Sequence, residues 1–202
     1  MTTLLVIAKE PVAGQVKTRL TPPYTPAQAA ALAESALADT LAAVAATPVD
    51  RRVLALAGRP GRWLPEGFEV IRQRGAGLDE RLAHAFADTG GPAVLIGMDT
   101  PQVTPGMLAR AARRLADGDA VFGPAADGGF WLLGLREPDP GLLLGVPMSR
   151  ADTGARQLAR LAGLRIAILD TLIDVDTADD AARVAAQAPG TRFAAAVRAA
   201  AS

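Results

Sequence analysis

An α/β sandwich with a mainly parallel sheet is the fold class this sequence predicts, on three observations. Short apolar runs alternate with longer helical patterns along the whole chain. Most of the runs are nearly continuous in apolar character, as strands covered on both faces should be. Helix-start signals recur between them, with Thr25-Pro26, Thr104-Pro105 and Thr177 each standing before a helical stretch.

The elements follow in order. Residues 3–8 (TLLVIA) read as a strand and 26–46 as an Ala/Leu-rich helix with Thr25 as N-cap and Pro26 at its first position. Residues 52–57 and 68–71 read as strands, 78–88 as a helix, 93–98 as a strong strand and 105–116 as a helix. Residues 120–123 and 130–135 are two more strands, the second entered through Asp127-Gly128-Gly129. That short, hairpin-like link allows one strand to run antiparallel. A helix over 150–162, a strand over 165–169 and helices over 178–187 and 192–201 complete the set. The whole of 1–202 fits one domain, with no repeat and no low-complexity linker.

Composition narrows the function classes. Half of the residues are hydrophobic and 21% are charged, enough for a sizeable core and too apolar for wholesale disorder. Lys+Arg and Asp+Glu are equal at 21 each, which argues against a general nucleic-acid binder but leaves room for a local basic pocket. The absence of Cys excludes disulfides, thiolate metal sites and Cys nucleophiles, and the single His84 excludes a multi-His zinc site within one chain. His84 itself, in "DERLAHAF", reads as a structural or surface histidine. No apolar run reaches the roughly 18 residues of a membrane span. The N-terminus lacks a basic leader and reads directly into a strand, so a cytoplasmic protein without membrane association is expected.

Ligands of an open parallel sheet bind beyond the carboxyl ends of its strands, and four stretches of unusual residues fall there. The first is "AKEPVAGQVKTRL", residues 8–20, in which Lys9, Lys17 and Arg19 flank Gly14. Cations with a backbone that permits close approach suit phosphates, although the spacing is not that of a Walker A loop and a basic surface loop would carry the same letters. The second is Gly97-Met98-Asp99-Thr100-Pro101, where Asp99 is a candidate Mg²⁺ ligand or a turn cap; Thr104 is the more obvious cap of the next helix. The third is "GPAADGGFW", residues 123–131. Its Gly128 and Gly129 fit either a tight turn or a close ligand approach, with Phe130 and Trp131 as pocket walls or core. The fourth is "LIDVDTADD", residues 172–180. Asp176, Asp179 and Asp180 suit a helix start, or Asp174 or Asp176 brings a second carboxylate to an ion held by Asp99.

These stretches, with "GLDERLAHAF" at residues 77–86, resemble the DUF2064 group of GT-A-fold, glycosyltransferase-like proteins, in the same order and over nearly the whole chain. More distantly they are similar to 2-phospho-lactate guanylyltransferases and molybdenum-cofactor nucleotidyltransferases. The resemblance implies a Rossmann-like three-layer GT-A fold. Its nucleotide-binding half would span about 1–101, its acceptor-binding half about 102–180 and its C-terminal helices about 178–202. It implies that Ala8, Lys9, Gly14, Lys17, Arg19 and Gly97 bind the nucleotide, that Gly128 and Gly129, counted with these binding residues, fall where acceptor contacts are expected, and that Lys17, Arg19, Asp99 and Asp127 serve the reaction. Asp99 and Asp176 would hold Mg²⁺ (or Mn²⁺). One departure is Met148 in "VPMSR", where members of the group usually carry Trp, which leaves acceptor choice open.

Three functions remain at this point. One is a nucleotidyltransferase moving NMP from an NTP to a small phosphorylated or phosphonate acceptor. The second is a glycosyltransferase using a nucleotide sugar, with Asp127 as base. The third is a non-enzymatic nucleotide sensor or scaffold. The expected partners are a nucleotide and a small-molecule acceptor, and the Ala-rich last helix offers a surface for a homo-oligomer.

Overall fold

The computed structural model describes residues 2–200. Among them the chain forms one seven-stranded sheet and six α-helices. Strand β1 (Thr3–Lys9) lies inside the sheet, parallel to β2 (Arg51–Ala57) on one side and to the central strand β4 (Ala93–Ile96) on the other. Beyond β2, β3 (Glu69–Arg72) forms one edge. Beyond β4 come β6 (Phe130–Leu135), β5 (Ala120–Pro124) and the parallel edge strand β7 (Ile166–Ile168). Strand β6 is antiparallel to both of its neighbours. The cause is legible locally: the link over residues 125–129 is far too short for the crossover that a parallel pair needs.

The strands are apolar on both faces because both are covered. Leu4, Val6, Leu54 and Ile96 face α1 (Pro26–Ala45) and α3 (Pro105–Asp117), represented there by Leu37, Leu41, Leu108 and Leu115. Leu5, Val53, Leu95 and Leu133 face the other way, toward Leu82 and Phe86 of α2 (Leu78–Ala87) and the turn that carries Leu143. On its outer side α1 packs Leu32 and Ala36 against α5 (Ala178–Gln187) and α6 (Arg192–Ala200) through Val184 and Phe193. Helix α1 is therefore rich in Ala because it is buried on two sides and its neighbours approach closely. No helix of the described residues is long and apolar enough to cross a membrane.

Three caps decide what is left for the site. Thr25 and Gln28 form a capping box on α1. The Thr104 hydroxyl accepts from Met107 N at the start of α3. Thr177 and Asp180 form a second box on α5. Thr104 and Thr177 thus do the capping that Asp99 and Asp176 could have done.

Helix α4 spans only Thr153–Arg160, shorter than the expected 150–162. Ser149 turns left-handed (φ 57). Thr153 Oγ1 then clips the turn by accepting from Arg150 N (3.0 Å) and donating to the Pro147 carbonyl (2.9 Å), so the helix starts after this turn. Ala201, expected in the last helix, lies outside the described residues.

Candidate active site

One edge of the sheet collects the loops that follow β1, β3, β4 and β5, the start of the antiparallel β6 and the segment after β7. Together they surround a cleft of about 770 Å³. Lys9, Lys17, Arg19, Asp99, Asp127, Asp174 and Asp176 all line it.

Lys17 is the centre of this constellation. It takes a left-handed backbone (φ 50), a conformation that costs a non-glycine residue about 1–2 kcal/mol and that sends its side chain back toward the strand ends. The ammonium lies 2.7 Å from Asp99 Oδ1 and 3.3 Å from Asp176 Oδ1, and it also donates to the Val175 carbonyl. Its side chain is 9% exposed, whereas the two carboxylates are 38% and 37% exposed to the cleft. Burial pulls the Lys17 pKa down, but Asp99 and Asp176 outweigh it and hold the group above its ordinary range. Arg19 reaches Asp176 Oδ2 at 3.0 Å and is 70% exposed. A pair so exposed adds little stability and leaves the guanidinium free to turn to another anion.

Asp99 and Asp176 come together because their loops are stitched. Val175 N donates to the Asp99 carbonyl (2.9 Å) and Gln102 Nε2 to the Ile173 carbonyl (2.7 Å). The same stitching half-buries Asp174 and buries its Oδ1, which has no hydrogen-bond partner among the described residues. Burial, and then the charges of Asp99 and Asp127, push its pKa from 3.8 up to about 7. Folding of the ligand-free protein therefore takes up a proton at Asp174. The sign follows: a carboxyl raised on folding contributes stability that is fully present below its unfolded pKa and lost as pH rises through the folded value. Denaturant unfolding of the ligand-free protein is expected to show lower stability at about pH 8 than at about pH 5, and Asp174→Asn is expected to flatten that slope. Equal slopes in the two proteins would contradict the burial of this carboxyl.

The donor set suits a divalent ion that brings part of its own shell. Asp99, Asp174 and Asp176 offer hard carboxylate oxygens, one of them orphaned. Among the described residues, however, no group of three or more His, Cys, Asp or Glu side chains is gathered closely enough to hold an ion alone.

The remaining expected residues divide. Ala8, Gly97 and Gly129 line the cleft; Gly14 and Gly128 do not. Gly14 (φ +75) is a surface turn with open space around it. At Gly128 (φ +90) a Cβ would sit 1.9 Å from the Ala151 carbonyl oxygen, so the close approach there is to protein backbone. Its own carbonyl accepts from Gly154 N (2.8 Å), which docks the Asp127 turn onto the start of α4. Asp127 lines the cleft, and its Oδ1 accepts from Gly129 N (2.8 Å), leaving the other oxygen without a partner among the described residues. Phe130 and Trp131 both line the cleft, and Trp131 is also core, at 3% exposed. His84 lies outside the cleft, with Nδ1 3.1 Å from the Arg74 carbonyl.

Gln73, Arg81 and Arg150 also line the cleft, and none of them was singled out as a site residue in the sequence. Arg81 and Arg150 stand inside the quoted stretches "GLDERLAHAF" and "VPMSR", which could have found them. A lone Gln after a short strand carries no such signal.

This fold is shared by nucleotidyltransferases and nucleotide-sugar transferases. The chain belongs to the family of uncharacterised proteins conserved in bacteria, DUF2064, whose model matches residues 29–150. Among solved structures it is similar to a candidate nucleotide-diphospho-sugar transferase from Desulfovibrio desulfuricans G20. That pair has 26% identity and a TM-score of 0.89, covering 98% of this chain and 94% of the other. Two others share the fold. The 2-C-methyl-D-erythritol 4-phosphate cytidylyltransferase from Thermus thermophilus has 18% identity and a TM-score of 0.58, with 94% and 100% covered. Rv0371c from Mycobacterium tuberculosis H37Rv, in complex with manganese, has 22% identity and a TM-score of 0.53, with 91% and 97% covered. No curated protein matches the chain.

Proposed function

We propose that the chain is a Mg²⁺- or Mn²⁺-dependent nucleotidyltransferase that moves NMP from an NTP to a small phosphorylated or phosphonate acceptor and releases pyrophosphate. The observation that carries this reading is the buried Lys17 ammonium between Asp99 and Asp176, with the exposed Arg19 beside it. An acceptor oxygen attacks the α-phosphorus in line, the bond to the bridging β-phosphate oxygen breaks, and pyrophosphate leaves with the electron pair. Lys17 and Arg19 hold the β- and γ-phosphates, Lys9 lies nearer the α-phosphate, and the backbone at Ala8 and Gly97 borders the nucleotide. Asp99 and Asp176 would hold the divalent ion, which when bound neutralises charge on the phosphate oxygens. An anionic acceptor needs no general base, in keeping with a cleft that His84 does not enter. Asp127, fixed by Gly129, orients the acceptor. In this reading about 1–101 serves the nucleotide and about 102–180 the acceptor.

A second reading is favoured by the free oxygen of Asp127 and by the similarity to a candidate nucleotide-diphospho-sugar transferase. Asp127 would then take the proton of an acceptor hydroxyl, and a nucleoside diphosphate would leave. One assay separates the two. The protein is incubated with Mg²⁺, a pool of small phosphorylated metabolites and either each NTP or each nucleotide sugar. Acceptor-dependent pyrophosphate release supports the first reading, and nucleoside diphosphate release from a sugar donor replaces it with the second.

A further inference from the structure

Part of the cleft lining, including Ile7, Gln73 and Leu78, is not used by the phosphate chemistry. Gln73 follows β3, and its backbone N–H donates to the Leu56 carbonyl (3.2 Å). Its side-chain Nε2 donates to two backbone carbonyls, those of Ala8 (2.8 Å) and Ala55 (2.9 Å). Two carbonyl acceptors leave the amide no choice of flip, because only the nitrogen can face them. The Oε1 is thereby fixed as an acceptor, without a hydrogen-bond partner among the described residues, on a residue that lines the cleft. Leu78, 42% exposed, and Ile7 add apolar surface to the lining of the same cleft. The Arg81 guanidinium is tied to the carbonyls of Gly75 (3.1 Å) and Ala76 (3.2 Å), which brace the loop between β3 and α2.

A fixed neutral acceptor repels phosphate oxygens and welcomes an N–H or O–H donor. Apolar walls with one convergent polar group are the pattern of a small, flat, uncharged ligand. We infer that Gln73 reads the nucleoside of the bound nucleotide, its Oε1 accepting a hydrogen bond from an N–H of the base edge or a hydroxyl of the ribose. The inference rests on the nucleotide reading above and adds to it the residue that selects among nucleotides.

The test is calorimetric binding with Mg²⁺ of the preferred NTP, its 2′-deoxy and 3′-deoxy forms, and a form with the base N–H methylated. Wild type, Gln73→Leu and the length-preserving Gln73→Met are compared, with ligand-free melting to confirm folding. One analogue is expected to bind wild type roughly threefold to tenfold more weakly, the worth of one hydrogen bond, and to lose nothing further in the variants. Which analogue it is tells base from ribose. Identical responses of wild type and variants to every analogue overturn the inference while leaving nucleotide binding intact. Failure of wild type to bind any NTP overturns the nucleotide reading itself, and this inference with it.

Discussion

Lys17→Ala is expected to lower the transfer rate by about two to three orders of magnitude, the usual cost of one pre-aimed donor to developing charge. Its ammonium is placed before substrate arrives, by a left-handed backbone and by contacts to Asp99 and Asp176. Little reorganisation is needed when phosphate oxygens replace those carboxylates. Arg19→Ala is expected to cost less, because its exposed guanidinium has to be gathered in. The ligand-free Lys17→Ala protein also loses the cation buried among Asp99, Asp174 and Asp176, so it is expected to melt below wild type and to recover more than wild type does when Mg²⁺ is added. Rates within threefold of wild type, with no extra response to Mg²⁺, would contradict this role.

Gly128→Ala is expected to destabilise the fold by about 3 kcal/mol. Roughly 1–2 kcal/mol of this is the left-handed backbone that alanine resists. The rest is the shift forced by a Cβ placed 1.9 Å from the Ala151 carbonyl oxygen, comparable to the roughly 1–3 kcal/mol of an overpacked core. For a chain of this size that lowers the melting temperature by about 6–12 °C. Gly14→Ala is the control. It carries the backbone cost, but none of the described residues comes within 4 Å of its Cβ, so it is expected to lose only about 1–2 kcal/mol. Equal losses in the two variants would show that the Gly128–Ala151 joint is looser than described.

The two glycines also show where sequence reasoning stops. "DGG" announced a tight turn or a close ligand approach; the turn is present, and the close approach at Gly128 is to the Ala151 backbone. That the neighbour of Gly128 is the start of α4 depends on Gly154, which stands far along the chain and whose own Cβ would meet the Gly129 carbonyl at 2.7 Å. Asp99 and Asp176 could be singled out because strand ends in a parallel sheet point at a shared crevice and because threonines stood ready to cap the adjacent helices. Their meeting across Lys17 could not, since it hangs on one left-handed residue and on the stitching of Val175 to Asp99. The antiparallel run of β6 was legible in the shortness of residues 125–129. The delayed start of α4 was not, because the side chain of Thr153 replaces a helical turn with a clipped loop. Gln73 went unnoticed because its meaning lies in the two carbonyls that orient it, and those belong to other strands.

The most direct measurement is equilibrium binding of an NTP and of the corresponding nucleotide sugar, each with and without Mg²⁺, to wild type and to Asp99→Asn. An NTP is expected to bind more tightly than its sugar counterpart, Mg²⁺ to strengthen the binding, and Asp99→Asn to remove the Mg²⁺ effect. At about 100 times its Kd such a ligand adds about 2.7 kcal/mol of stability, so melting temperature reports the same result. Binding of a nucleotide sugar in preference to every NTP, or Mg²⁺ dependence unchanged in Asp99→Asn, would contradict this expectation.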